Sequence, residues 1–403
     1  MTILFTFLTA LALQAPQVNI ETLDGTKHTG ELQAMSVQNV QVKTPQGTET
    51  VPTERLMKVD FDREKQKISM AGKVLVTLVD GSHMLTQGFQ VNKESATLVS
   101  TIGPGGVKVP ISDIYSVRFI NRTGTLDDQW ERICEAPTDS DRLIVAKEDA
   151  LDYLVGSLGE ITNVRVVFTL DGEPLKVKRE KVFGITYYHP TGRTIPKSLG
   201  RLITTDGSSW AFTEIVMDAG NFNLVTTLGL EVSFPVDTVA AFDFAEGKVA
   251  YLSDMKPSSV TWTPYLSLMG TTGGNDNHGR ATFFGPKFDR SFQAGPLTLD
   301  GKTYDKGLAL HSRSVIVYRL GKKYGRLTAT AGIADRVRPQ GHVQLKIEAD
   351  GKVLLDTEIS GKQMAIPIDL DLAQAEKLTI TVDYGQKTDI ADRLILGDAK
   401  VME

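Results

Sequence analysis

The chain has 403 residues, 41% of them hydrophobic and 23% charged, with 44 basic against 49 acidic side chains. That composition excludes a disordered chain, and the length allows about two or three domains of ~150 residues, each able to bury a core. A net charge of −5 without a long block of one sign excludes a concentrated phosphate-binding face, so nucleic acid is not an expected partner.

Residues 1–15 differ in kind from the rest of the chain. Ile3-Leu4-Phe5 and Phe7-Leu8 lead through Ala10-Leu11-Ala12 to Pro16, an apolar run too short to span a bilayer, with small residues at A-x-A spacing. A signal peptide is expected, its n-region positive only through the free amine. The mature chain is then secreted, periplasmic or part of a cell envelope, with no membrane span. Cys134 is the only cysteine, which excludes an intramolecular disulfide and a cysteine zinc cage and points to a buried, inert thiol. Export without disulfides suggests bacterial domains stable through their cores alone.

From Val18 the chain alternates apolar and polar residues in short runs separated by Asp-Gly and Gly-Pro-Gly-Gly turn signals, which is β structure. A pattern recurs: Asp-Gly, then an apolar residue and Pro, then an aromatic. The markers are Asp24-Gly25, Val51-Pro52 and Phe61 in a first unit, and Asp80-Gly81, Val109-Pro110 and Phe119 in a second. A fourth has Asp206-Gly207, Phe234-Pro235 and Phe244. Pro and aromatic stand nine residues apart each time, and the third unit keeps the interval from Lys178 to Tyr187 although its Pro is lost. Constant spacing implies tandem repeats. Each unit resembles an Sm-like or SH3-like small β barrel, whose closing strands carry Val59, Val117, Ile185 and Ala241. A barrel of ~50 residues is marginal alone, so packing in pairs is expected. Between the second and third units, residues 127–133 read as a short helix or turn with Trp130 and Ile133 on one face, followed by a linker. The expected organisation is a signal peptide at 1–15, two small β repeats at 16–120, linker plus two more at 121–245, and a further domain at 246–403.

That last domain has one buried face per strand. Val343, Leu345 and Ile347 alternate with Gln344, Lys346 and Glu348 before an Asp350-Gly351 turn, and Pro367 marks an edge strand. Many antiparallel strands with almost no helical period imply a jelly-roll β-sandwich. The fold class is all-β.

The ordered set Lys306-Gly307-Leu308, His311, Ser314 and Tyr318, followed by Ala329-Thr330-Ala331-Gly332-Ile333 and Asp335, resembles the NPCBM family of carbohydrate-binding modules. The likeness runs from Tyr251-Leu252-Ser253-Asp254 to the C-terminus. It implies a galactose-binding-like jelly roll that binds glycan or polysaccharide. Leu327, Ala334 and Arg393 depart from the family's usual Phe, acid and Trp.

Candidate chemistry follows from residue types. Sugar rings stack on exposed aromatics, which singles out Trp262 and Tyr265, with Tyr304, Tyr318 and Tyr384 as further rings and Tyr318 on a core face. His311 either bonds backbone at the sheet edge or contacts ligand. Asp335, Arg336 and Arg338 either clamp sugar hydroxyls or form ion pairs in a solvated loop. Asp389 and Asp392, with Asp398, are candidate oxygen donors to a structural calcium, the metal that commonly braces such jelly rolls. The run Gly273-Gly274-Asn275-Asp276-Asn277-His278-Gly279 lacks the acidic spacing of an EF-hand and reads as a loop. No Gly-x-Ser-x-Gly elbow, His-Glu-x-x-His or phosphate loop is present, so the protein is expected not to be an enzyme. The expected function is glycan binding with the β repeats as scaffold. The alternative is a cell-envelope structural module with a protein partner and no sugar binding.

Overall fold

The computed structural model describes residues 15–63, 72–100, 102, 106–119, 125–263, 265, 284–386 and 388–403. Residues 1–14 of the expected leader and the 273–279 run lie outside them. Two compact units divide the chain, Met1–Glu246 and Gly247–Glu403. Thr125–Glu135 is the one α-helix that lies wholly within the described residues, and among these no helix is long and apolar enough to cross a membrane.

The first unit holds four groups of five antiparallel strands, at residues 17–60, 74–118, 141–186 and 200–243. Alternation builds them: in Gln17–Thr22 every second residue, Val18, Ile20 and Thr22, is buried. The fourth strand of each group ends in a single 3-10 turn, Thr53–Arg55, Ile111–Asp113, Arg179–Lys181 and Val236–Thr238, which leads straight into the fifth. Pro52, Pro110 and Pro235 precede three of these turns with φ of −61°, −56° and −54°, the value a proline ring imposes. Lys178 takes −61° without a ring. The nine-residue interval is therefore one strand end, one turn and one closing strand.

The groups do not pair in chain order. The fifth strand of the first group, Leu56–Asp60, pairs with the fifth of the fourth, Val239–Asp243, with Val59 opposite Phe242. The fifth strands of the second and third, Ile114–Arg118 and Val182–Thr186, pair with Val117 opposite Ile185. The closing-strand residue of the fourth group is thus Phe242; Ala241 lies one residue earlier, on the other face, opposite Asp60. The second and fourth groups clasp each other through reciprocal bonds: the Leu85 amide donates to Ser208 Oγ at 3.0 Å and the Ala211 amide to Ser82 Oγ at 2.9 Å. Both serines follow an Asp-Gly turn.

The helix lies against the third group. Trp130 packs on Phe183 at 5.7 Å between ring centroids, and a Cβ at Gly184 would meet its ring carbons at 2.5 Å. Arg142, buried, donates to the carbonyls of Ile133, Ala136 and Pro137 and so caps the helix end. Burial pushes the nearby Cys134 thiol up to about 12, which keeps it protonated and unreactive.

The second unit is a sandwich. One sheet has the order Lys287–Phe288, Gly307–His311, Arg393–Met402, Arg326–Ile333, Ile366–Asp371, with Val249–Tyr251 also on Arg393–Met402. The other has Ser259–Trp262, Ser314–Arg319, Lys377–Tyr384, His342–Ala349, Lys352–Ser360. Leu308, Leu310, Ile316, Tyr318, Val343, Leu345, Ile347, Ile380 and Leu394 fill the space between them. Gly307 has φ +150°, and a Cβ there would meet the Leu396 carbonyl oxygen at 2.4 Å, so only glycine lets this strand enter the sheet.

Candidate functional site

Strand registers bring one set of strand ends together. Trp262 stands opposite Ser314, Ser314 opposite Val382, Tyr384 opposite Val343, and His342 opposite Ser360. In the facing sheet His311 stands opposite Arg393 and Ile333 opposite Leu394. The segments after Trp262, His311, Ile333, Ser360 and Tyr384 therefore open at one end of the sandwich.

Four of the aromatic or imidazole side chains read from the sequence sit here, Trp262, Tyr265, His311 and Tyr384. The Trp262 ring, half-buried, stacks on Phe284 at 5.5 Å and 22° and meets His311 edge-on at 6.4 Å. Trp262 Nε1 donates to the Ser312 carbonyl at 3.1 Å, and His311 Nδ1 donates to the same oxygen at 2.6 Å. A carbonyl only accepts, so this bond places the proton of a neutral His311 on Nδ1. Phe284 and Phe292 flank the imidazole at 5.0 and 6.0 Å. Burial holds the imidazole below the usual histidine range, against the pull of the Ser312 carbonyl. Tyr265 is 47% exposed and meets Tyr384 edge-on at 5.0 Å; the Tyr384 hydroxyl donates to the Thr263 carbonyl at 2.9 Å. Beside them Arg313 Nε lies 3.6 Å from an Asp383 oxygen, both side chains exposed. Arg393 lies over the Phe292 ring at 5.9 Å.

Beneath the rings is a polar strut. Asp392, fully buried, accepts from Ser312 Oγ at 2.8 Å and from the His342 amide at 3.0 Å. Burial raises its carboxyl above the usual range, while the two hydrogen bonds pull the other way. Asp392 thereby ties the His311–Ser314 turn in one sheet connection to the first residue of His342–Ala349. Asp389 is half-buried nearby in sequence. Among the described residues no group of three or more His, Cys, Asp or Glu side chains stands together as a metal site, and both Asp392 oxygens already accept protein hydrogen bonds.

The Arg338 corner is built differently. Asp335 accepts from the amides of Asp300 and Gly301 at 2.7 and 2.9 Å, closing the Asp-Gly turn. Arg338 donates to Asp300, to the Gly361 carbonyl at 2.9 Å and to the Gln363 carbonyl at 2.8 Å. The Ala365 amide first, and Arg338 after it, hold the Asp300 carboxyl below the usual range. Arg336 is exposed and makes no side-chain hydrogen bond or ion pair among the described residues. Tyr304 and Tyr318 are buried.

Phe284, Phe292 and Arg313 complete the aromatic corner and were not singled out by sequence. Phe284 lies 22 residues beyond Trp262 and carries no local signal; only the side-by-side ending of strands brings it there.

Residues 248–402 match the model of a family described as NPCBM/NEW2 domain. The comparison with curated proteins gave no match. Among solved structures, the CBM51 module of Clostridium perfringens GH95, in complex with methyl-galactose, is 21% identical, covering 38% of this chain and 99% of that one, at a TM-score of 0.31. The CBM51-2 and INT domains of Clostridium perfringens ZmpB are 18% identical; 52% of this chain is covered but only 40% of that one, at 0.32. The tandem CBM51 modules of Sp3GH98 from Streptococcus pneumoniae SP3-BS71 are 14% identical over 82% of this chain and 88% of that one, at 0.30. The match to the NPCBM/NEW2 domain lies within the C-terminal unit, Gly247–Glu403.

Proposed function

We propose that this is an exported, non-enzymatic protein whose C-terminal domain binds carbohydrate at the Trp262 corner. The four five-stranded groups, read as one duplicated unit, serve as its scaffold. One observation carries the reading: Trp262 stacked on Phe284, and Tyr265 exposed beside Tyr384, are joined at the same loop end by the charged pair Arg313 and Asp383. Apolar sugar faces stack on such rings, and exposed charged groups orient the hydroxyls. Trp262 is held by its Nε1 bond and stays pre-positioned, so little rotamer freedom is lost on binding.

Glycoside hydrolysis needs two carboxyls on opposite sides of the bond. At this corner Asp392 is buried and hydrogen-bonded, Asp383 lies beside Arg313, and Asp389 stands in electrostatic range of His311 and Tyr384; we read them as groups that position the binding face. The test is a glycan array with the full chain, run with and without added calcium. Retention of a defined glycan set, weakened at least about tenfold by Trp262→Ala, is the expected result. An array on which the folded protein retains nothing, in either condition, overturns it.

A further inference from the structure

In the N-terminal unit a cleft of about 700 Å³ lies between the first and fourth groups. Its floor is the outward face of Ser209–Asp218, Asn221–Thr226 and Glu231–Pro235; its wall is the turn Ser36-Val37-Gln38, joined to the floor by the bridge between Ser36 and Val216. Strand register places Glu214 opposite Val225, and Val225 opposite Glu231. Two glutamates thus share one row on either side of a valine, their backbones two strand spacings or about 10 Å apart along the sheet. Val37 and Val216 stand beside the row, 42% and 49% exposed. Among the described residues no Lys or Arg lines the cleft, and neither glutamate takes part in a side-chain hydrogen bond or ion pair.

The other groups supply an internal control. The second strand of every group carries a register shift, and the row that follows it reads Ala34, Gln41 and Thr50 in the first group, begins with Gly88 and Val99 in the second, and reads Ile161, Val166 and Val177 in the third. These rows belong to five-stranded groups of the same pairing order and hold no carboxylate. The acid pair of the fourth group is therefore not required by the fold.

We propose that this cleft binds an alkyl dication, a small molecule with two ammonium ends joined by an unbroken methylene chain. The ends meet Glu214 and Glu231, and the methylenes lie over Val225 against Val37 and Val216. Apolar surface between the charges favours methylenes over a peptide, whose amide groups would lose water above the valines without gaining partners. The site stands apart from the carbohydrate reading, because it lies in the other unit.

The experiment is isothermal titration of the full chain with diaminoheptane, with heptylamine as the single-charge control. Diaminoheptane is expected to bind at least about threefold tighter than heptylamine, and to lose that margin as salt is raised, since exposed ion pairs are worth at most about 1 kcal/mol, or fivefold, each. The double variant Glu214→Gln/Glu231→Gln is expected to bind both amines equally, and its unchanged unfolding midpoint would show that the fourth group is intact, both side chains being exposed. Absence of binding, equal binding of the two amines to the unsubstituted chain, or a diamine preference that survives the double variant would overturn the proposal. So would binding of a lysine-flanked peptide in the cleft where the diamine fails, which would identify a protein partner instead.

Discussion

At the loop end of the C-terminal sandwich, the corner around Arg338 turns its polar groups inward onto the chain, whereas the corner around Trp262 leaves ring faces and a charged pair at the surface. Both arose from the same kind of sequence signal, polar or aromatic residues next to strand ends. Asp335 and Arg338 find a neighbouring Asp-Gly turn and the carbonyls of Gly361 and Gln363, so they hold loops together. Trp262 and His311 also have their polar atoms bonded, to the Ser312 carbonyl, but that bond fixes the rings and leaves Trp262 half-exposed beside Phe284. A residue type becomes a binding candidate when its partners orient it without covering it.

The largest expected effect breaks the comparison at its inward corner. Arg338→Ala removes three donors and leaves the Asp300 carboxyl without its cation, costing about 2–4 kcal/mol of domain stability in urea unfolding. Glycan affinity of the fraction that remains folded should change less than about twofold. If instead binding falls while stability holds, the sugar site belongs at Arg338.

Trp262→Ala comes next, because the ring is both packed and presented. A loss of about 1–3 kcal/mol in stability is expected from a half-buried indole, together with at least about tenfold weaker glycan binding. Tyr265→Ala isolates the second part. With the ring 47% exposed, stability should move by no more than about 0.5 kcal/mol, and affinity should fall about threefold to tenfold in a binding titration. A Tyr265 variant that binds as well as the parent would confine the site to the Trp262 and Phe284 faces.

The smallest effect is pH dependence through His311. Its folded pKa is lowered by burial, so below the unfolded value of about 6.5 the unfolded chain takes up more protons than the folded one, and stability falls as pH drops from there through the folded value. Above about pH 6.5 the contribution is fully present. Urea midpoints of the parent should decline between about pH 7.5 and pH 5 more steeply than those of His311→Phe. Parallel profiles would mean that another group governs acid sensitivity at this corner.

Much of the fold was legible. Alternation marked strands such as His342–Ala349, Asp-Gly marked hairpins, and the Pro-to-aromatic interval marked a 3-10 turn followed by a closing strand, because proline's fixed φ and the strand period are local properties. The site was legible only in pieces. Trp262, Tyr265 and His311 could be named as residue types, but Phe284, Phe292 and Arg313 join them through strand ends far apart in sequence. The buried Asp392 is bonded to Ser312 and His342, partners that no spacing could indicate.

What the sequence determined by itself is the all-β class, the four recurring groups of strands and the family of residues 248–402. Which group pairs with which was decided only in three dimensions. All four closing strands carry the same local code, and backbone hydrogen bonds between them do not read side chains. The choice of Val59 with Phe242, and of Val117 with Ile185, comes from the surfaces around those strands. The turns show the same thing: Asp80-Gly81-Ser82 and Asp206-Gly207-Ser208 lead into buried strand starts that clasp each other, while Asp24-Gly25-Thr26 leads into exposed Lys27 and stays in water. Local chemistry chooses the turn, and burial of the neighbouring surface chooses the partner.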